Sequence, residues 1–280
     1  MFASLTRGFV AFGAITSAAT AIAGHTTTFD NGTEGWSVSG RETILPNTGN
    51  PGAAMDVELI DVFGAEIRND TNPLFIGDFT ARGRFKLTVD VRIDSITFFG
   101  TEVSRDLIAE FRDYTPRDPQ SPYCSVWYHL SEISASQPGW RRYSVEIADP
   151  TSETLPPGWG GSGAEDPETF EPILPEGRTF ASVLANTDEL RFTTFVPGWF
   201  FGFTNFFMAV DNVGWESIGG DPCVGDVDGN GEVTLTDLAI LLTNYGLGEG
   251  ASSGQGDTDG DGDVDLSDLA ALLGNFGVIC

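Results

Sequence analysis

The segment RFKLTVDVRIDSITFF (residues 84–99) places Leu87, Val89, Val91 and Ile93 at every second position, with Lys86, Thr88, Asp90 and Arg92 between them. A period of two sends successive side chains to opposite faces, so this is a strand with one apolar and one polar face. Working outward, LIAEFRDY (107–114), CSVWYHL (124–130), WRRYSVEIA (140–148), LRFTTF (190–195) and MAVDNVGWESI (208–218) are further short runs rich in β-branched and aromatic residues, separated by Gly, Pro and Asp. Many such strands without long helical patterns predict a two-sheet β-sandwich over residues 24–218. The stretch from 149 to 178, rich in Pro, Gly and acid, reads as a long surface loop.

Composition narrows the function. The chain has 280 residues, 40% of them apolar, including 21 Phe and 6 Trp, enough for a folded core. Forty-one acidic against 14 basic residues give a net charge of -27, which repels nucleic acid and anionic membranes and favours a cation as partner.

That cation has a place in the tail. GDVDGNGEVTLTDLAILLTNYG begins at Gly225 and returns as GDTDGDGDVDLSDLAALLGNFG at Gly256, 31 residues later. In the first copy Asp226, Asp228, Asn230, Glu232 and Asp237 take positions 1, 3, 5, 7 and 12 of a twelve-residue loop, with Gly231 at the sharp turn. In the second copy the same places hold Asp257, Asp259, Asp261, Asp263 and Asp268, with Gly262 at the turn. Calcium takes six to eight hard oxygens, and this spacing supplies them from side chains and from the carbonyl of position 7. Thr234 and Asp265 stand at position 9. Leu238, Leu241, Leu242 and Tyr245, and then Leu269, Leu272, Leu273 and Phe276, recur at helical spacing behind each loop, whereas the residues before each loop are turn-rich. The tail is therefore predicted to be a small all-α unit holding two calcium ions.

Two loops, each followed by a helix and neither preceded by one, resemble a type I dockerin domain. The resemblance covers residues 223–280, after a Gly-Gly-Asp-Pro linker at 219–222. It implies docking onto a cohesin-like protein domain through a near-twofold helical surface; the other reading is a calcium-stiffened module whose partner is an unrelated surface protein. Leu235-Thr236 and Leu266-Ser267 stand where cellulase-complex dockerins often carry a small polar pair, and the basic residues those helices use are absent. The opening FDNGTEGWSVSG (from Phe29) and the closing MAVDNVGWESI resemble the first and last strands of jelly-roll carbohydrate-binding or laminin-B-like modules. That resemblance implies a structural calcium held by Asp30 and Asp211; their other reading is as solvated turn acids.

Three Pro-Gly-Trp tripeptides end at Trp140, Trp159 and Trp199. A turn can hold an indole at a loop tip for stacking on a sugar ring. Trp159, inside the glycine-rich insertion, is expected to be exposed and ligand-binding; Trp199 is the second ligand-binding candidate, and Trp140 reads as core. No catalytic constellation is recognisable. His25 and His129 would form a copper brace only if the chain were cut after Gly24.

At the N-terminus, Arg7 precedes an apolar, small-residue run closing with Ala21-Ile22-Ala23, the layout of a signal peptide over residues 1–23. Export is expected, with no membrane span after processing. An oxidising compartment permits a Cys223–Cys280 disulfide, whose loop of 57 residues is worth about 4 kcal/mol, leaving Cys124 as a strand residue. The functional expectation is a secreted binding and docking protein of polysaccharide degradation. A hydrolase with an unrecognised site and a cell-surface structural protein are the alternatives.

Overall fold

The computed structural model describes residues 24–115, 122–200, 202–218, 224–248 and 250–278. The expected signal peptide (1–23), the linker (219–222), and Cys223 and Cys280 with their expected disulfide lie outside the described residues. In chain order the strands are β1 (Gly24–Thr27), β2 (Trp36–Val38), β3 (Arg41–Leu45), β4 (Ala54–Val62), β5 (Glu66–Asn69), β6 (Phe85–Phe98), β7 (Thr101–Glu102), β8 (Arg105–Asp113), β9 (Cys124–Ile133), β10 (Trp140–Ile147), β11 (Trp159–Ser162), β12 (Ala164–Glu165), β13 (Pro172–Ile173), β14 (Glu189–Thr193) and β15 (Thr204–Ser217). The helices are α1 (Phe180–Leu184), α2 (Leu235–Asn244) and α3 (Leu266–Gly274).

Two antiparallel sheets face one another. One runs β10-β6-β15-β4-β3, with β1 on β15 and β7 on β6; the other runs β11-β9-β8-β14-β5-β2. The alternation in β6 does what its period predicts. Phe85, Leu87, Val89, Val91 and Ile93 are buried and join Leu107, Ala109, Phe111, Val126, Leu190 and Phe192 of the second sheet in one hydrophobic cluster. Cys124 is buried in β9 with a free thiol.

The insertion departs from the expectation of a loop. Residues Trp159–Ser162 pair with β9 and close the edge of the second sheet, and α1 follows. Pairing a short glycine-rich strand satisfies its backbone groups, which a loop lying over the core would leave unbonded. Trp159 is accordingly not a loop-tip indole. It is 9% exposed, packed against Phe180 (4.9 Å between ring centroids), Tyr128 (5.5 Å) and Phe111 (6.3 Å). Burying an indole recovers far more free energy than holding it in water, and the core had room for it.

The tail carries a second cluster of Val227, Val233, Leu241, Val264 and Leu272. Its two repeats clasp each other reciprocally. Val233 accepts from Gly277 N–H and donates to the Val278 carbonyl, while Val264 accepts from Gly246 N–H and donates to the Leu247 carbonyl. Thr234 and Asp265 cap α2 and α3. Among the described residues no helix is long and apolar enough to cross a membrane.

Candidate functional site

The outer face of the second sheet is not an ordinary solvated face. Strand register sets Gly160, Trp127, Glu110, Arg191, Arg68 and Ser37 side by side in one row across β11, β9, β8, β14, β5 and β2. Beside it, Ser162, Ser125, Arg112 and Glu189 form a second row. Glu110 is fully buried and Arg191 and Glu189 are each 2% exposed, although all three point away from the core. They are tied together. Arg191 Nε donates to Glu110 Oε2 at 2.7 Å and lies 3.3 Å from Glu189 Oε1, while its Nη1 meets Glu66. Arg112 Nε stands 3.1 Å from Glu110 Oε2, and Arg112 also bonds the Tyr123 hydroxyl at 2.9 Å with its guanidinium 3.7 Å over that ring. Tyr114 donates to Glu189 at 3.2 Å.

Burial raises the Glu110 carboxyl above its ordinary range against the pull of Arg112. Glu189 is raised for the same reason, with Arg112 and Arg68 pulling against it. A bed of paired charges thus lies beneath half-buried Trp127, Tyr114, Tyr123 and Arg68. Three strands apart in the principal row, Trp127 Nε1 and Arg68 Nε are closed off from solvent with no hydrogen-bond partner, as are Glu110 Oε1, Glu189 Oε1, Arg112 Nε and Ser125 Oγ on the same face.

None of these residues was singled out from the sequence. Their signal was the placement of Glu110 and Arg112, and of Glu189 and Arg191, at alternate positions within apolar strands. Charges at that spacing also describe a plain solvated face, and only burial separates the two cases. The indoles chosen instead stand apart. Trp159 lies inside, among the residues lining a pocket of about 460 Å³ between β10 and residues 148–157. Trp199 is 67% exposed on the β14–β15 loop, beside Phe200. Trp140 is half-buried, with Arg92 over its ring at 5.3 Å. His25 pairs with Glu34 and His129 with Asp106.

Asp30 and Asp211 both reach the 49–53 segment. Asp30 accepts from Ala53 N–H at 2.9 Å and Asp211 from Asn50 N–H at 2.5 Å. Burial, with Asp90 and Asp30 adding repulsion, raises the Asp211 carboxyl.

In the tail, carboxylate oxygens of Asp226, Asp228 and Asp237 lie within 4.8 Å of one another, as do those of Asp257, Asp259 and Asp261, and of Asp263, Asp265 and Asp268. These clusters can hold a metal ion. Each loop turns on its first aspartate. Asp226 gathers the N–H groups of Gly229, Asn230 and Gly231, and Asp257 those of Gly260 and Gly262. Gly231 (φ 87°) and Gly262 (φ 92°) make the reversal that a Cβ would oppose. Asp237 and Asp268 are fully buried, each accepting backbone N–H groups from its own loop. Partial desolvation, then the charges of Asp261, Asp268 and Asp257, raise the Asp259 carboxyl, the repulsion a divalent cation would relieve. Asn230 and Glu232 complete the first loop, with Asn230 Oδ1 accepting from Glu232 N–H at 2.9 Å.

Outside the loops the repeat leaves a duplicated apolar face. Leu235, Leu242, Tyr245 and Leu247 are exposed, and so are Leu266, Leu273, Phe276 and Val278, their counterparts 31 residues on.

No protein-family model matches the chain, and no curated protein matches it in sequence. Among solved structures, the chain aligns with the family 11 carbohydrate-binding module from Clostridium thermocellum in complex with a β-1,3-1,4-mixed-linked tetrasaccharide, at TM-score 0.42 and 12% identity, over 71% of this chain and 98% of that one. It aligns with the CBM22-1 and GH10 modules of Clostridium thermocellum endo-1,4-β-D-xylanase 10B at TM-score 0.39 and 12% identity, over 75% of this chain and 31% of that one. An exo-β-agarase aligns at TM-score 0.43 and 10% identity, over 72% and 28%. The chain thus spans under a third of the length of the latter two proteins.

Proposed function

We propose that the sandwich binds a polysaccharide chain across the outer face of β9, β8, β14 and β5, and that the tail is a calcium-ordered docking module of an exported protein. The observation that carries the glycan reading is the principal row, which sets the half-buried indole of Trp127 and the half-buried guanidinium of Arg68 three strands apart on one face. Sugar rings present an apolar face to an aromatic ring and a fringe of hydroxyls to fixed polar groups, and this row offers both. Preformed pairs such as Arg191 with Glu110 need no ordering when a ligand arrives, which reduces the cost of binding.

Two calcium ions in the loops starting at Asp226 and Asp257 would neutralise the clustered carboxylates, and a third at Asp30 and Asp211 would pin the 49–53 segment. The duplicated apolar face would then meet a cohesin-like domain, in keeping with the dockerin resemblance. A hydrolase reading draws on the raised carboxyls of Glu110 and Glu189. Both, however, are tied to Arg191, which holds them as positioned charges rather than as a proton donor free to reach a glycosidic oxygen. Calorimetry against a panel of soluble polysaccharides tests the proposal. Binding that Trp127→Ala removes, without release of reducing ends, supports it; release of reducing ends that Glu110→Gln abolishes would replace it with the hydrolase.

A further inference from the structure

Arg68 is directly opposite Arg191 on one side and Ser37 on the other. Its neighbours in β5, Ile67 and Asn69, are buried at 1% and 0%, which fixes Arg68 on the outer face. Two guanidinium groups set opposite each other on adjacent strands repel unless both are compensated. Arg191 is compensated threefold, by Glu110, Glu189 and Glu66, and Arg112 shares Glu110. Glu189 also acts on Arg68, but among the described residues no carboxylate stands within ion-pairing distance of that guanidinium. Among the described residues the Arg68 side chain makes no hydrogen bond or ion pair, and its Nε is closed off from solvent without a partner. In a chain with 41 acidic side chains, the one guanidinium of this row left open lies at the end of a prospective ligand track.

From this we infer that the glycan held here is acidic, with a carboxylate or sulfate group seated on Arg68 beside the Ser37 hydroxyl. The inference rests on the glycan-binding reading above and specifies its ligand. A guanidinium fork matches the paired oxygens of either anion and rewards them well beyond a neutral hydroxyl. From Trp127 to Arg68 is three strand spacings, about 14 Å, more than one sugar ring. The ligand is therefore an oligosaccharide stretch whose neutral ring face stacks on Trp127 while its charged substituent reaches Arg68.

The test uses the full chain with polygalacturonate and its methyl ester, and with a sulfated galactan and its desulfated form, each pair sharing a backbone and differing in charge. Affinity is read by calorimetry at about 0.15 M salt, where repulsion between a polyanion and the chain's net charge of -27 is largely screened. Loss of charge is expected to weaken binding by at least about tenfold, the factor that one charge-assisted hydrogen bond supplies; which pair shows it identifies the anion. Arg68→Gln should bring the charged form down to the level of the uncharged one at an unchanged melting temperature, and Arg68→Lys should restore part of the difference. Trp127→Ala should weaken both forms alike. If charged and uncharged forms bind equally, or if Arg68→Gln leaves their ratio as it was, the acidic ligand is refuted while glycan binding stands. If no member of either pair binds and neutral glycans also fail, the glycan reading falls and takes this inference with it.

Discussion

The indole of Trp127 lies over the backbone of Gly160 on the neighbouring strand, so closely that a Cβ at Gly160 would overlap its six-membered ring. Glycine at this place is what allows the aromatic end of the row to lie across the sheet. Gly160→Ala is therefore expected to tilt Trp127 and to weaken glycan binding nearly as much as Trp127→Ala. The comparison of the two variants by affinity electrophoresis, with melting curves as control, checks this. Full affinity in Gly160→Ala would mean the indole position does not matter.

Two tryptophans preceded by Pro-Gly should behave in opposite ways. Trp159→Ala removes a buried indole from contact with Phe180 and Phe111 and should cost about 3–5 kcal/mol. Trp199→Ala removes an exposed ring and should change stability by less than about 0.5 kcal/mol. Urea titrations of both variants provide the measurement.

The helices make a similar contrast between neighbours. Leu241 and Leu272 are fully buried, whereas Leu242 and Leu273 are about half exposed. Leu241→Ala or Leu272→Ala should destabilise the tail by about 2–5 kcal/mol, and Leu242→Ala or Leu273→Ala should leave its unfolding midpoint nearly unchanged while weakening any docking through that face.

Metal removal can be followed with two separate probes, because all six tryptophans precede residue 219 while α2 and α3 lie behind it. Chelation is expected to reduce helical ellipticity, and calcium to restore it. Asp237→Ala should block the restoration through calcium in the first loop, since it removes the acceptor of Val227 and Thr234 N–H. A matching change in tryptophan emission would report the third ion at Asp30 and Asp211. Helical ellipticity unaffected by chelator and calcium alike would refute the metal loops.

Glu110 gives the sandwich a pH dependence of definite sign. Its folded pKa lies above the ordinary 4.5, so the native state holds this proton more firmly than the unfolded chain does. The contribution is fully present below about 4.5 and is lost as pH rises through the folded value. Glu110→Gln should flatten that part of the curve of melting temperature against pH.

The alternation of Leu87, Val89, Val91 and Ile93 and the spacing of Asp226, Asp228, Asn230 and Asp237 were legible along the chain, because periodicity and loop stereochemistry are local. They determined the sandwich, the repeat and the candidate metal ligands. Tertiary structure alone decided that Trp159 is core, since its burial depends on β11 pairing with β9. It alone also set Trp127, Glu110, Arg191 and Arg68 in one row. Those residues come from four strands spread over more than 120 positions, and which strands become neighbours is fixed by long-range packing that no local pattern encodes.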